Sequence, residues 1–255
     1  MEIVIPANSR KEIRIDEDKN INLIIGRNCE VKIIDVSGEE VEVFVDENSV
    51  VDYITIKKDD ANLNKIAVIG KNSVMNWIDC YISNKINAIV RTELIGRGSE
   101  TKTISVIFGD EDNEFNVKNE VIHAASNSKS NMLTRVVLNG RARANYNGLV
   151  RVNPNSYGCK GYQKKETILL SEDAKIDAIP NLEIENNDVK CSHGATISQI
   201  DEMKLFYMMS RGIDEKSAKK QIVEGFFDPI LVKIEDDKIK EDIKNNISER
   251  LGALV

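Results

Sequence analysis

Gly26-Arg27-Asn28-Cys29-Glu30-Val31-Lys32-Ile33-Ile34 sets the pattern of this chain: a small polar corner, then at once a short strand. The phrase returns as Glu47-Asn48-Ser49 before residues 50–56 and as Lys71-Asn72-Ser73 before residues 74–82. Residues 96–99 lead into 101–107, and Gly140 leads into the alternating stretch 141–152. These starts fall roughly 20 to 30 residues apart, the interval at which internal repetition signals stacked architectures. Helical periodicity is scarce between about residues 20 and 200. A β-helix accounts for the pattern, because each coil leaves an apolar face that only its neighbours can cover. Val41, Val43 and Val45, and likewise Ile104 and Val106, are expected to face inward, with Glu42, Phe44, Lys102 and Ser105 between them. A β-sandwich would show similar strands but favours Asn-Gly and Asp-Gly hairpins, of which there is little sign, Tyr146-Asn147-Gly148 being one exception.

Beyond residue 200 the period changes from two to about 3.6. Asp201 is a suitable N-cap, Glu202 sits in the first turn, and Arg211 and Gly212 close a short helix. Asp214 caps a second helix, with Ala218, Ile222, Val223 and Phe226 on one face and Asp228-Pro229 as its expected end. After a connection rich in Lys, Asp and Glu, the four-residue spacing of Ile239, Ile243, Ile247 and Leu251 predicts a third. The chain therefore divides into a β-helix core at 1–200 and a helical region at 201–255. Two roles for the helices stay open: a cap on the end of the solenoid, or a docking surface, since Phe206-Tyr207-Met208-Met209 and Phe226-Phe227 offer more apolar area than a small cap needs.

Composition narrows the function. In 255 residues, 42 Asp and Glu stand against 35 Lys and Arg, with the signs interspersed, so nothing in the charge pattern suits a nucleic acid or an anionic membrane. No apolar run approaches the roughly 20 residues of a membrane span, and no secretion signal is legible, which predicts a cytoplasmic protein. Cys29, Cys80, Cys159 and Cys191 are scattered without a C-x-x-C, so reduced thiols are expected. Catalysis finds few footholds. Glu183 and Glu185 could share a strand face, as a carbohydrate-active β-helix would need, but no acid–base partner accompanies them. His123 and His193 are the only histidines, neither lies near a nucleophile elbow, and there is no phosphate-binding P-loop.

The chemistry concentrates in Lys190-Cys191-Ser192-His193-Gly194-Ala195-Thr196. In an extended strand Cys191 and His193 share one face, which places two metal-ligating groups side by side. A buried thiol beside a hydrogen-bonded core imidazole would show the same spacing. Cys159, between Gly158 and Gly161, is the next candidate thiol, whereas Cys29 and Cys80 read as core residues.

Pro180-Asn181-Leu182-Glu183-Ile184, then Asp188 through Thr196, Ile200-Asp201, Leu205-Phe206-Tyr207 and Ser210-Arg211-Gly212-Ile213 closely resemble the SufB/SufD family, the scaffolds of the SUF iron–sulfur cluster assembly system. Gly140-Arg141-Ala142 and Tyr146-Asn147-Gly148-Leu149-Val150 fit the same pattern, and His123 falls where members often carry a histidine. The resemblance implies a right-handed parallel β-helix with C-terminal helices that bind the ABC-type ATPase SufC. It also implies a non-catalytic scaffold that carries a transient iron–sulfur cluster near a junction of two β-helices. The chain starts directly in strand-like sequence, which resembles compact homodimeric, archaeal-type members without an N-terminal helical domain. Residues 163–170 hold no thiol where SufB-type members have a cysteine, and Gly194 stands where they carry a glutamate, so the wording is SufD-like. On this resemblance Cys191 and His193 are the expected metal ligands, with Cys159 and His123 weaker candidates. Ile213, Ile222, Phe226 and Phe227 are the expected partner-binding residues. A metal-free β-helix adaptor is the alternative.

Overall fold

The computed structural model describes residues 1–232 and 237–252; part of the charged connection before the third helix lies outside them. In chain order the strands are β1 (Glu2–Ile5), β2 (Arg10–Ile15), β3 (Asn20–Ile25), β4 (Glu30–Asp35), β5 (Glu40–Val45), β6 (Val50–Lys57), β7 (Ala61–Ile69) and β8 (Val74–Tyr81). They continue as β9 (Lys85–Leu94), β10 (Glu100–Gly109), β11 (Glu114–His123), β12 (Lys129–Leu138), β13 (Arg143–Val152), β14 (Cys159–Leu169), β15 (Lys175–Ile184) and β16 (Val189–Gln199). Odd strands form one eight-stranded parallel sheet and even strands another, each in strict sequence order, so every pair of strands is one coil of a parallel β-helix. Three helices follow, α1 (Glu202–Ser210), α2 (Glu215–Leu231) and α3 (Asp237–Gly252).

The asparagine corners explain why the coils stack in register. Asn8, Asn28, Asn48, Asn72 and Asn127 all have φ between 54° and 61°, the left-handed conformation that Asn tolerates better than most residues. Their amides form a ladder, Asn28 Nδ2 donating to Asn8 Oδ1 at 3.0 Å and Asn72 Nδ2 to Asn48 Oδ1 at 3.3 Å. Glycine takes the same corner at Gly98 and Gly158, where a Cβ would crowd the amide of the preceding asparagine to 2.8 and 2.5 Å. From Asn28 onward the residue after each such corner turns inward: Cys29, Ser49, Ser73, Ser99, Ser128 and Cys159 are all buried. Cys29 N–H donates to Ser49 Oγ at 2.9 Å and Ser49 N–H to Ser73 Oγ at 3.0 Å, so this column satisfies corner amides that no strand pairs.

Inside the solenoid, Val41, Val43 and Val45 point to the axis as their alternation predicts, and Phe44 faces out. Ile104 and Val106 do the reverse. Thr101, Thr103 and Ser105 occupy the inner face of β10, while Ile104 and Val106 pack outward in one cluster with Val223, Phe227, Ile230 and Leu231 of α2. The parity misleads because the outer face of the even sheet is itself buried. α2 and α3 lie across the flank of that sheet rather than over its end, so the cap role is not the one the helices take. Ile239, Ile243, Ile247 and Leu251 seal α3 into the same cluster as expected. The buried face of α2 is Ala218, Val223, Phe227, Ile230 and Leu231, and Pro229 lies within the helix instead of ending it. Burying Ile230 and Leu231 against the sheet outweighs one lost backbone hydrogen bond in the last turn. Arg135 fastens the helix: it pairs with Glu166, donates to the Phe226 carbonyl and lies 4.9 Å from the centroid of the Phe226 ring. Tyr146-Asn147-Gly148 lies inside β13 and makes no hairpin.

The strands lengthen from six residues in β3 and β4 to ten in β13, widening the interior. One inner row of the even sheet is polar from β4 to β14, Asp35, Thr55, Asp79, Ser105, Thr134 and Lys165 occupying successive rungs. In its first half every charged group has a partner. Lys65 from the facing sheet pairs with Asp79 and donates to Thr55 Oγ1 at 2.9 Å, and Tyr53 donates to Asp35 Oδ2 at 2.8 Å.

The corner geometry makes one prediction. Asn48→Ala should destabilise the chain by about 1–2 kcal/mol through left-handed strain and the broken ladder, and Asn48→Gly by only a few tenths, as read from urea denaturation midpoints.

Candidate metal centre

β16 is the edge of the even sheet and β15 the edge of the odd sheet, so together they form the last coil, whose outer edge pairs with nothing among the described residues. Register on β14 sets Cys191 opposite Gly161 and His193 opposite Gln163, both inner-face positions, so Cys191 and His193 point the same way, about 7 Å apart along the strand. From β4 to β14 the equivalent positions are all buried. Here Cys191 is half-buried and His193 exposed.

Glycines make the room. A Cβ on Gly161 would lie 3.2 Å from Cys191 Sγ and 2.8 Å from Val150 Cγ1, so only glycine lets the thiol settle beneath the last coil. A Cβ on Gly194, beside His193, would meet nothing within 4 Å. Burial pushes the Cys191 thiol up from its ordinary pKa, with the Gly161 backbone acting in the opposite sense, so the free group is a thiol that a bound metal would have to deprotonate. No group of three or more His, Cys, Asp or Glu side chains converges on a point among the described residues. The donor set suits iron or another thiophilic metal, but one chain offers two ligands where an iron–sulfur cluster takes four from protein.

His123 and Cys159, the weaker candidates, meet at one corner deep in the wall. His123 is fully buried, with Nδ1 2.7 Å from Ser128 Oγ and Nε2 2.8 Å from Ser130 Oγ. Ser128 donates to the Ala125 carbonyl at 2.8 Å, so Nδ1 carries the ring proton and Nε2 accepts from Ser130. Ser128 Oγ also lies 3.3 Å from Cys159 Sγ. Cys159 continues the inward column of corner residues that includes Cys29 and Ser49, and Cys80 lies under the helices. Of the two carboxylates weighed for sugar chemistry, Glu183 is held by Arg151, with Nε donating to Oε2 at 2.5 Å.

Of the partner-binding candidates, Ile213, Ile222 and Phe226 are partly exposed, whereas Phe227 is fully buried against the sheet. α1 offers much more. It has no buried residue, and Met203, Phe206 and Tyr207 are 76%, 68% and 59% exposed. Sequence reasoning did not anticipate the polar interior at Gln163, Lys165 and Thr167; their alternation was the available signal, but it reads equally well as a solvated strand.

The His123 environment carries a pH signature. Burial lowers its pKa to about 4, against about 6.5 when unfolded, so the unfolded chain takes up a proton first as pH falls. Stability should decline by about 3 kcal/mol between about pH 6.5 and pH 4 on this account, and His123→Gln should flatten that slope in denaturation curves taken across the window.

The chain matches the model of the family described as SUF system FeS cluster assembly, SufBD core domain, over residues 6–226. It is similar to an iron–sulfur cluster assembly SufBD family protein of Mycobacterium leprae, 32% identical over 195 residues that cover 74% of this chain and 22% of that protein. Another, from Staphylococcus epidermidis, is 28% identical over 228 residues, 86% of this chain and 49% of that protein. The chain thus spans at most about half the length of these relatives. With a family match across most of its length, laid on a parallel β-helix, the chain belongs to the SufBD core domain family of the SUF iron–sulfur cluster assembly system.

Proposed function

We propose that this chain is a non-catalytic scaffold in iron–sulfur cluster assembly that holds a labile cluster, its cargo, between two copies of itself. The observation that carries the reading is the last coil: Cys191 and His193 share an inner face that no further strand among the described residues covers. β15 and β16 both end in rows of unpaired backbone N–H and C=O groups, a template for pairing with the same edges of a second copy. A two-fold contact of that kind is self-complementary and brings two thiolates and two imidazoles together, four ligands in all. Thiolate is the usual ligand of iron–sulfur clusters and imidazole an accepted variant. Because each chain holds only half of the site, parting the copies releases the cargo.

The same reading gives the helices a partner, the ABC-type ATPase SufC. α2 and α3 use their apolar faces on the sheet, whereas Met203, Phe206 and Tyr207 of α1 stay mostly exposed, with the Arg211 guanidinium 5.4 Å from the centroid of the Tyr207 ring. Aromatic and methionine side chains of this exposure are typical anchors of an interface core. Ile213 and Ile222, partly exposed at the turn and on α2, extend the docking face. Phe227 supports it indirectly by fixing α2. No helix among the described residues is long and apolar enough to cross a membrane, which accords with a cytoplasmic site of action.

Two measurements test the reading. Anaerobic reconstitution of the full chain with iron and sulfide should give cluster absorbance that falls at least several-fold in Cys191→Ala and in His193→Ala, while Cys159→Ser retains it. Unchanged absorbance in Cys191→Ala would remove this thiol from the site, and absence of any cluster in the native chain would favour the metal-free adaptor. Phe206→Ser combined with Tyr207→Ser should abolish co-elution with SufC without changing the melting temperature; undiminished co-elution would place docking elsewhere.

A further inference from the structure

Three lysines are buried in the solenoid, Lys57, Lys65 and Lys165, and of these only Lys165 has no partner for its amine. Lys57 Nζ donates to the Val36 carbonyl at 2.7 Å. Lys65 is neutralised by Asp79 and held by Thr55. Lys165, on the same polar row as Asp79 and Thr55 but near the last coil, is just as buried, yet its Nζ makes no hydrogen bond and faces only the Tyr146 ring, 5.7 Å from the centroid. Burial is the sole influence on its pKa, which falls to about 8, so the amine remains mainly protonated at neutral pH. An ammonium sealed from water without a partner costs several kcal/mol, and proteins rarely leave such a charge uncompensated.

The surroundings describe a chamber. Flanking Lys165 on the inner face of β14, Gln163 Oε1 and Thr167 Oγ1 are buried without partners. The Gln163 amide is oriented by Nε2 donating to the Asn181 carbonyl at 2.9 Å, which turns Oε1 the other way. Gly148 leaves space for that oxygen, since a Cβ there would come within 2.3 Å of it. Across the axis, the Tyr146 hydroxyl accepts from Thr134 at 3.2 Å and from Asn119 at 3.4 Å, so its own proton is free to donate. The chamber therefore offers an ammonium and two hydroxyls to a guest. Lys165 lies opposite Ala195 of β16, so only the last coil, and there a small side chain, separates this row from the open end.

We propose that this chamber is a binding site for a small monovalent anion of halide size, held by the Lys165 amine with the Thr167 and Tyr146 hydroxyls. A multiply charged oxyanion would bring more negative charge than the single buried ammonium offsets. The guest takes the place that Asp79 fills for Lys65, and it restores charge balance along the row. The inference stands independently of the cluster reading, because it concerns groups one coil deeper than Cys191 and His193.

Crystals of the full chain grown with bromide as the only halide test it directly. An anomalous peak within about 3.5 Å of Lys165 Nζ is expected. In solution, bromide should raise the melting temperature by about 2–4 °C over gluconate at equal ionic strength, and Lys165→Met should abolish that difference. Should the methionine variant fail to fold, Lys165→Gln serves the same comparison, and the bromide map of the native chain is unaffected. Water alone at Nζ in the map, or a bromide effect of equal size in native and variant chains, would overturn the proposal.

Discussion

In a parallel solenoid each coil is buried by the coil that follows it, and the last coil has no successor. Everything notable about this molecule follows from that constraint. Inner-face positions that are fully buried at Gly161, Gln163 and Lys165 become accessible one rung later at Cys191, His193 and Ala195, while backbone pairing stops at β15 and β16. A thiol and an imidazole that would be core residues anywhere earlier in the stack are therefore presented, on a rigid strand, to whatever completes the next rung. The site owes its position to stacking order and its half-finished state to the lack of a further coil.

The flank is treated differently from the end. α2 and α3 bury the outer face of the even sheet with Phe227, Ile243 and Ile247, and Arg135 ties the Phe226 carbonyl to Glu166. This leaves the end of the solenoid open and puts α1, the helix joined directly to the end of β16, in a position where Met203, Phe206 and Tyr207 are largely exposed. A contact made at α1 is separated from the Cys191 strand by a few residues of chain, which on the proposed reading gives a mechanical route between partner and cargo.

Much of the fold was legible. The Asn-containing corners were readable because few side chains tolerate the left-handed turn, and they repeat at Asn28, Asn48 and Asn72. N-caps at Asp201 and Asp214 were equally clear, each carboxylate accepting from the backbone three residues on. What failed was the meaning of hydrophobicity in a strand buried on both faces: Ile104 and Val106 were assigned to the axis, yet they face α2, and Ser105 takes the inside. No local pattern announces that a distant helix will cover a sheet. For the candidate site, the shared face of Cys191 and His193 followed from alternation alone, whereas their exposure depended on β16 being the final strand, and the polar interior at Lys165 depended on register over several coils.

The central claim is that one chain cannot hold the cluster and two can. Native mass spectrometry of the anaerobically reconstituted chain tests it most directly. The account predicts that iron and sulfide appear only on a species of two chains, with single chains carrying none. A cluster retained on a single chain would contradict it.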